Sequence, residues 1–330
     1  MKRTYTLQLD GTYIPVSEPV HPLSYTVRHA ESLYWESGKN VIYEQTFDGR
    51  FAYLYYYECW IQEKDTIPIA IDMPDIHLLY TLQCDGCIAA WQAETDFAFD
   101  LIEGKGAYYY FAAGRYHLQL PKGHHILIGF ILDAGMIRPP ANRNFKFLSP
   151  LIDSKRMKDT TSKKSPDVRV GAVTLKFLQL LFSKINPYIL DNEYILLKHL
   201  TFLINLSRFK MQDDSDAPHE HRQLIAKARE ILALLILHQG AKAKLADVAQ
   251  TLLVSGAHLN SLHQEYHGCA FQVYRNELML DFIRDAMHEE EKFAATAEQT
   301  GFSGFSEMAR FIRNHTGLTS KEFREQSKQT

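Results

Sequence analysis

The sequence predicts an α+β chain of several domains: a β-rich N-terminal region, a helical segment, and an all-α C-terminal region. Three observations carry this expectation. Short aromatic and β-branched runs separated by turn residues fill residues 1–150. Apolar residues return at helical spacing from residue 169 onward. Residues 219–330 then hold one helix–turn–helix pattern written twice. A chain of 330 residues exceeds one ordinary domain. The boundaries fall at 1–150, 151–215 and 219–330.

In the first region the strand runs are Tyr53–Tyr57, Ile67–Ile71, His77–Leu82, Tyr108–Phe111 and Ile126–Leu132. Asp48-Gly49, Asp85-Gly86, Ala113-Gly114 and Pro121–Gly123 punctuate them as turns. Many short strands at this spacing predict a barrel or a sandwich. Tyr53, Tyr55, Tyr57, Trp60, Trp91, Tyr108 and Tyr110 are candidates to line a small-molecule pocket, and their alternative role is ordinary core. Rings with polar tips suit sugars and aromatic ligands. Asp85-Gly86 reads as a type I′ hairpin turn that sets Cys84 and Cys87 opposite each other on neighbouring strands. There is no second cysteine pair, whereas zinc prefers four ligands, so no metal is expected. His124 and His125 are adjacent, so on a strand they face opposite ways and do not form the His-x-His of a metal site. His117 stands apart from both. No glycine-rich phosphate loop or nucleophile elbow occurs, so neither a cofactor nor catalysis is expected.

Asp153 to Asp167 is polar and basic and reads as a mobile tether, as does Met211 to Pro218. Between them, Val173, Phe177, Leu180 and Leu181 share one helix face; Ile195, Leu196, His199, Leu200 and Leu203 share another, beyond Asn186-Pro187. That much apolar surface needs a cover, either the β-region or a second protomer. Dimerisation is the favoured expectation.

In the C-terminal region Leu245–Gln250 corresponds to Phe293–Glu298, and Val254-Ser255-Gly256 to Phe302-Ser303-Gly304. Leu259 and Leu262 match Met308 and Phe311, His267-Gly268 matches Thr316-Gly317, and Tyr274-Arg275 matches Phe323-Arg324. The copies lie 48 to 49 residues apart with one inserted residue. In the second copy Ser303 is the expected N-cap. Helical spacing turns Met308, Phe311 and Ile312 inward and leaves Ser306, Glu307, Arg310 and Arg313 outward. In the first copy Leu259, Leu262 and Tyr266 are expected inward, with His258, Asn260, Ser261 and Gln264 outward. Asn260 and Gln264 carry amides that suit adenine.

Two such units joined by a helix-length segment, Phe271 to Met287, resemble the DNA-binding domain of the AraC/XylS family of bacterial transcription regulators. The specific phrases are Gly301-Phe302-Ser303, Arg310-Phe311, Thr316-Gly317-Leu318-Thr319 and Glu322-Phe323-Arg324. The resemblance covers roughly residues 220–330, closely in the second copy and loosely in the first. It implies sequence-specific binding to double-stranded promoter DNA, with two recognition helices entering major-groove faces about 34 Å apart. It further implies a cupin-like barrel that senses a small-molecule effector, a homodimer, and RNA polymerase as a further partner. On this resemblance Arg310 stands where the family has an arginine able to grip guanine, while Arg313 suits phosphate. Phe305, Ser306 and Glu307 match positions that touch base edges, and Glu307 suits a cytosine amino group. Departures are also present. Ser261, Gln264 and Met279 stand where basic residues are usual. A degenerate member acting as a protein-interaction module is therefore an alternative, and a cupin-type enzyme a more remote one.

Composition bounds these readings. Apolar content of 46% and charged content of 23% describe an ordinary globular protein. Apolar stretches such as Ile231–Leu237 are too short to span a membrane, and no signal-peptide core leads the chain. Four cysteines make no disulfide scaffold, so a cytoplasmic location is expected. The net charge is −3, and residues 219–330 carry 13 Lys and Arg against 14 Asp and Glu. Because cations that displace counterions supply much of DNA affinity, this domain is expected to bind weakly, or when dimeric.

Overall fold

The structure is a computed structural model that describes all residues except 1, 10, 138–142, 144, 186–191, 213–220, 291 and 328–330. It divides into two units, Met1–Gln212 and Asp213–Thr330. The Asn186-Pro187 break and most of the expected tether at 211–218 lie outside the described residues.

Strands are numbered along the chain. One antiparallel sheet runs β1 (Tyr5–Leu7), β6 (Asp65–Ile71), β11 (Gly114–Leu120), β8 (Cys87–Gln92), β9 (Ala98–Ile102). The other begins with β13 (Lys163–Lys164), β10 (Lys105–Phe111), β7 (Asp75–Cys84) and β12 (Gly123–Leu132). It continues through β5 (Ala52–Ile61), β4 (Asn40–Asp48), β3 (Glu31–Ser37) and β2 (Ile14–Val16), and β14 (Val168–Arg169) also pairs with β10. The two sheets face each other but do not close into the expected barrel. Short outer strands end both sheets, and Pro15 removes a donor from β2, which discourages further pairing.

The second sheet is a middle layer, buried on both faces. Along β5, Tyr53, Tyr55, Tyr57, Cys59 and Ile61 enter the core between the sheets. The alternate residues turn outward, where helices cover them. Tyr56 meets Phe182 edge-on in α2 (Ala172–Lys184). Tyr108 Oη donates to Ser207 Oγ in α3 (Asn192–Gln212) at 2.9 Å, and Tyr110 Oη donates to the Asp159 carbonyl at 2.7 Å. Phe177 of α2 stacks on Phe202 of α3. The apolar faces expected to seek a second protomer thus pack within their own unit. A sheet with two apolar faces offers them that cover.

Residues 153–167 are not a tether. They begin inside α1 (Ser149–Met157), and Lys158, with φ +54°, ends that helix. Ser162 Oγ and Ser165 Oγ then accept the β10-side amides of Ala112 and Tyr108 at 3.0 and 2.9 Å. The lysines pair with acids, Lys155 with Asp75, Lys163 with Asp159 and Lys164 with Asp167. Polar composition signals solubility; here it serves unpaired groups along a sheet edge. The Asp85-Gly86 turn also differs from expectation. It carries the chain from β7 in one sheet to β8 in the other, so Cys84 and Cys87 do not face each other across a hairpin. The Asp85 carboxylate instead accepts the His124 amide at 2.9 Å.

The second unit is all helical: α4 (His221–Gln239), α5 (Leu245–Thr251), α6 (Gly256–His267), α7 (Phe271–Glu289), α8 (Phe293–Gln299), α9 (Phe305–Thr316) and α10 (Ser320–Ser327). The α5–α6 pair repeats as α8–α9 with equal lengths, 7 and 12 residues. Leu232, Leu235, Val248, Leu259, Met279, Ile283, Met308 and Ile312 are buried in this unit. The turn after α4 meets the α8–α9 turn backbone to backbone, and the Ala241 amide donates to the Thr300 carbonyl at 2.9 Å. Gly240 sits there at φ +57°, and a Cβ on it would lie 1.9 Å from the Thr300 oxygen. Gly240→Ala should therefore cost more than about 2 kcal/mol, lowering the urea midpoint of the helical unit. An unchanged midpoint would contradict this contact.

Candidate functional site

On α9 the core takes Met308 and Ile312, both at 0% exposure, with Phe311 half-buried beside Phe302. Helical geometry then leaves Ser306, Arg310 and Arg313 exposed on the opposite side. Among the described residues neither guanidinium enters a salt bridge. Phe305, partly exposed, stacks on Phe293 at 5.4 Å. A groove beside α9 is lined by Phe305, Ala309, Arg310, Arg313 and Lys321.

The start of α9 differs from expectation. Gly304 occupies the cap position, and Ser303 lies one residue earlier. The Glu307 carboxylate reaches back to accept the Ser303 amide at 2.8 Å and its hydroxyl at 2.7 Å. These Ser303 bonds, with Arg310 nearby, hold the Glu307 carboxyl below the ordinary glutamate range. Glu307 thus serves the turn, where a free acceptor for cytosine had been expected. Glycine supplies no cap oxygen, so the return contact from Glu307 takes its place.

In the first copy Ser255 is the N-cap, accepting the His258 amide at 3.1 Å. His258, Asn260, Ser261 and Gln264 are exposed as expected. Two of them are already engaged. Asn260 Oδ1 accepts the Phe271 amide at 3.0 Å, capping α7, and Gln264 Nε2 donates to the Gly268 carbonyl at 3.0 Å, closing α6. Tyr266 is 43% exposed and not inward as expected. The inward place belongs to His263, fully buried against Phe271 and Tyr274, with Nδ1 2.8 Å from the Cys269 carbonyl. Sequence reasoning missed it, although aligning α6 on α9 places His263 at Ile312.

The repeated arginines after each copy are structural. Arg275 donates to the Ala243 and Ala241 carbonyls at 3.0 and 2.8 Å. Arg324 donates to the Glu290 carbonyl at 3.2 Å and covers the Phe293 ring. With these two committed to the fold, Arg310, Arg313 and Lys321 are the cations gathered along the groove beside α9.

In the N-terminal unit a cavity of about 100 Å³ lies between the two sheets. Of the seven aromatics singled out, Tyr55 and Tyr57 line it. Tyr53 joins the same core cluster outside the cavity lining. Trp60 stacks on His124, Trp91 on His117, and Tyr108 and Tyr110 face the covering helices. The two-residue strand period separates these groups. Tyr5, His77 and Phe111 are lining residues that the sequence did not reveal. Tyr5 and Tyr57 hydroxyls lie 2.7 Å apart, Tyr57 donates to Glu44, and Arg3 pairs with Glu44 at 2.9 Å. Burial raises both phenols well above the ordinary tyrosine range. Tyr55 Oη and His77 Nδ1 are 3.0 Å apart, and burial lowers the His77 pKa to about 3. Among the described residues no group of three or more His, Cys, Asp or Glu could hold a metal. His124 bonds Glu58, and His125 Nε2 lies 2.8 Å from the Pro121 carbonyl.

A family model described as a helix-turn-helix domain matches residues 248–326, from within α5 to within α10. The C-terminal region is an AraC-type helix-turn-helix domain. No curated protein matches the chain. Solved structures similar to it include an apo point variant of ToxT from Vibrio cholerae, at 11% identity over 84% of this chain and 98% of that one, with a TM-score of 0.32. An AraC-type regulator of Chromobacterium violaceum shares 25% identity over 33% of this chain and 95% of its own, with a TM-score of 0.29. The AraC-like activator CuxR shares 7% over 73% and 80%, with a TM-score of 0.32.

Within the AraC-type domain the two copies have diverged. The second carries exposed arginines; the first carries polar side chains occupied with helix ends. Asn260→Ala should lower stability by about 1 kcal/mol through the lost cap on α7, read as an unfolding midpoint. An unchanged midpoint with weakened DNA binding would assign this amide to DNA instead.

Proposed function

We propose that the chain is a sequence-specific DNA-binding transcription regulator, acting in the cytoplasm without catalysis, whose N-terminal unit takes a small-molecule effector. The observation that carries the reading is the exposed Arg310 and Arg313 pair on α9, opposite a fully buried stripe. Arg310 would grip guanine through O6 and N7, and Arg313 would hold phosphate. Ser306 and Phe305 lie beside them to meet base edges. The first copy contributes His258 and Ser261, with Asn260 and Gln264 as the amides nearest DNA. With charges in the domain close to balance, a homodimer doubling the contacts fits better than a monomer. RNA polymerase would be the partner of an activator. No helix among the described residues is long and apolar enough to cross a membrane.

A second reading, a module that binds protein rather than DNA, is favoured by the capping roles of Asn260 and Gln264. Anisotropy titration of the full chain against DNA upstream of its own gene, at low salt, separates the two. Arg310→Ala should cost about 1–3 kcal/mol and relax base preference at one position, while Arg313→Ala should weaken all sequences alike. Absence of binding even at low salt would support the protein-binding module.

A further inference from the structure

His77 leaves a polar atom unanswered in the wall of a largely apolar chamber. Only 2% of the residue is exposed, and Nε2 has no hydrogen-bond partner. The imidazole is walled by Tyr5, Tyr55 and Phe111, with ring centroids 6.2, 5.9 and 5.0 Å away. Leu79, Leu101 and Leu127 are among the other lining residues, as is His117, which stacks on Trp91. The Tyr55 ring is held across Gly129, where a Cβ would lie 2.0 Å from its Cζ, so His77's partner is fixed in place.

The protons can be followed through the network. Tyr57 donates to Glu44, so Tyr5 donates to Tyr57. Tyr116 donates to the Ala112 carbonyl at 2.8 Å. Between Tyr55 Oη and His77 Nδ1 the phenol is the donor, because the reverse direction would leave both the phenolic proton and the Nε2 lone pair unmatched; the ring proton then sits on Nε2. Among the described lining residues, His77 alone therefore holds a fully buried donor with no partner. A lone water fits poorly, because it needs two to four polar partners. An anion fits poorly as well: burial keeps His77 uncharged at neutral pH, and Arg3 is already paired with Glu44.

We propose that this chamber binds a small uncharged molecule that is apolar except for one hydrogen-bond acceptor, a carbonyl or ether oxygen, directed at His77 Nε2. The proposal rests on the sensing role given above to the N-terminal unit and names the chemistry of its ligand. An apolar cavity of about 150 Å³ takes up benzene, so about 100 Å³ sets the ligand near four to six non-hydrogen atoms.

The test is calorimetric titration of the full chain with cyclopentanone, with methylcyclopentane as its hydrocarbon match, and with butyrate as an anion. Cyclopentanone should bind about tenfold more tightly than methylcyclopentane, and butyrate should not bind. His77→Leu should erase the preference for the ketone while methylcyclopentane still binds, which also shows that the variant is folded. His77→Gln, which keeps a donor, should restore part of the preference. Equal binding of ketone and hydrocarbon, tighter binding of butyrate, an unaltered preference in His77→Leu, or no binding by any of the three would overturn the proposal. DNA titration without ligand tests the regulator reading separately. Release from DNA by a compound that leaves this chamber empty would keep the sensing role and reject this ligand.

Discussion

Met308 and Ile312, both withdrawn from solvent, hold α9 at one rotation about its axis, and the proposed DNA contact depends on that rotation. A residue three positions along a helix turns only slightly, so fixing this apolar stripe also fixes where Arg310 and Arg313 point. Two neighbouring backbone contacts secure the position. Ala241 bonds Thr300 across a glycine pair, and Gly317, at φ +76°, ends the helix with its amide on the Arg313 carbonyl. Specific base reading needs side chains presented from a rigid element, and these contacts supply one.

The same logic, with a period of two instead of 3.6, organises the N-terminal unit. Alternate residues of β5 and β10 go either to the inter-sheet core or to the helical layer. Seven aromatic side chains similar in sequence therefore end in different environments. Tyr55 and Tyr57 reach the cavity, while the Tyr108 hydroxyl anchors α3 and the Tyr110 hydroxyl holds the Asp159 carbonyl just beyond α1. Buried Glu44 and Glu58 are each answered by several donors, as buried charge requires.

Much of this was legible from residue order alone. The repeat, its single inserted residue, the inward Met308 and Ile312 and the outward arginines all follow from helical spacing. What was not legible depends on contacts between distant segments. Ser303 reads as a cap, but the extra residue in the second copy moves the cap to Gly304, and Glu307 takes over. Asn260 reads as a free amide because Phe271, which it caps, lies eleven positions away. Residues 153–167 read as solvated because composition does not reveal the edge of β10 to which they bind. His77, one histidine in a strand run, gave no signal before Tyr55 and the facing sheet were placed around it. The exposed Leu253, at φ +56°, occupies the turn position where the second copy has Gly301 at φ +80°, a mark of how unequally the copies keep the pattern.

The central claim is that the outward face of α9 lies in a DNA groove. Directed cleavage tests this most closely: Ser306→Cys, in a chain whose exposed Cys87 is changed to Ser, carries an iron chelate that cuts DNA nearby. The account predicts cuts confined to one position within the upstream DNA, in the pattern of a major-groove reagent. Scattered cutting, or none where the protein is bound, would contradict it.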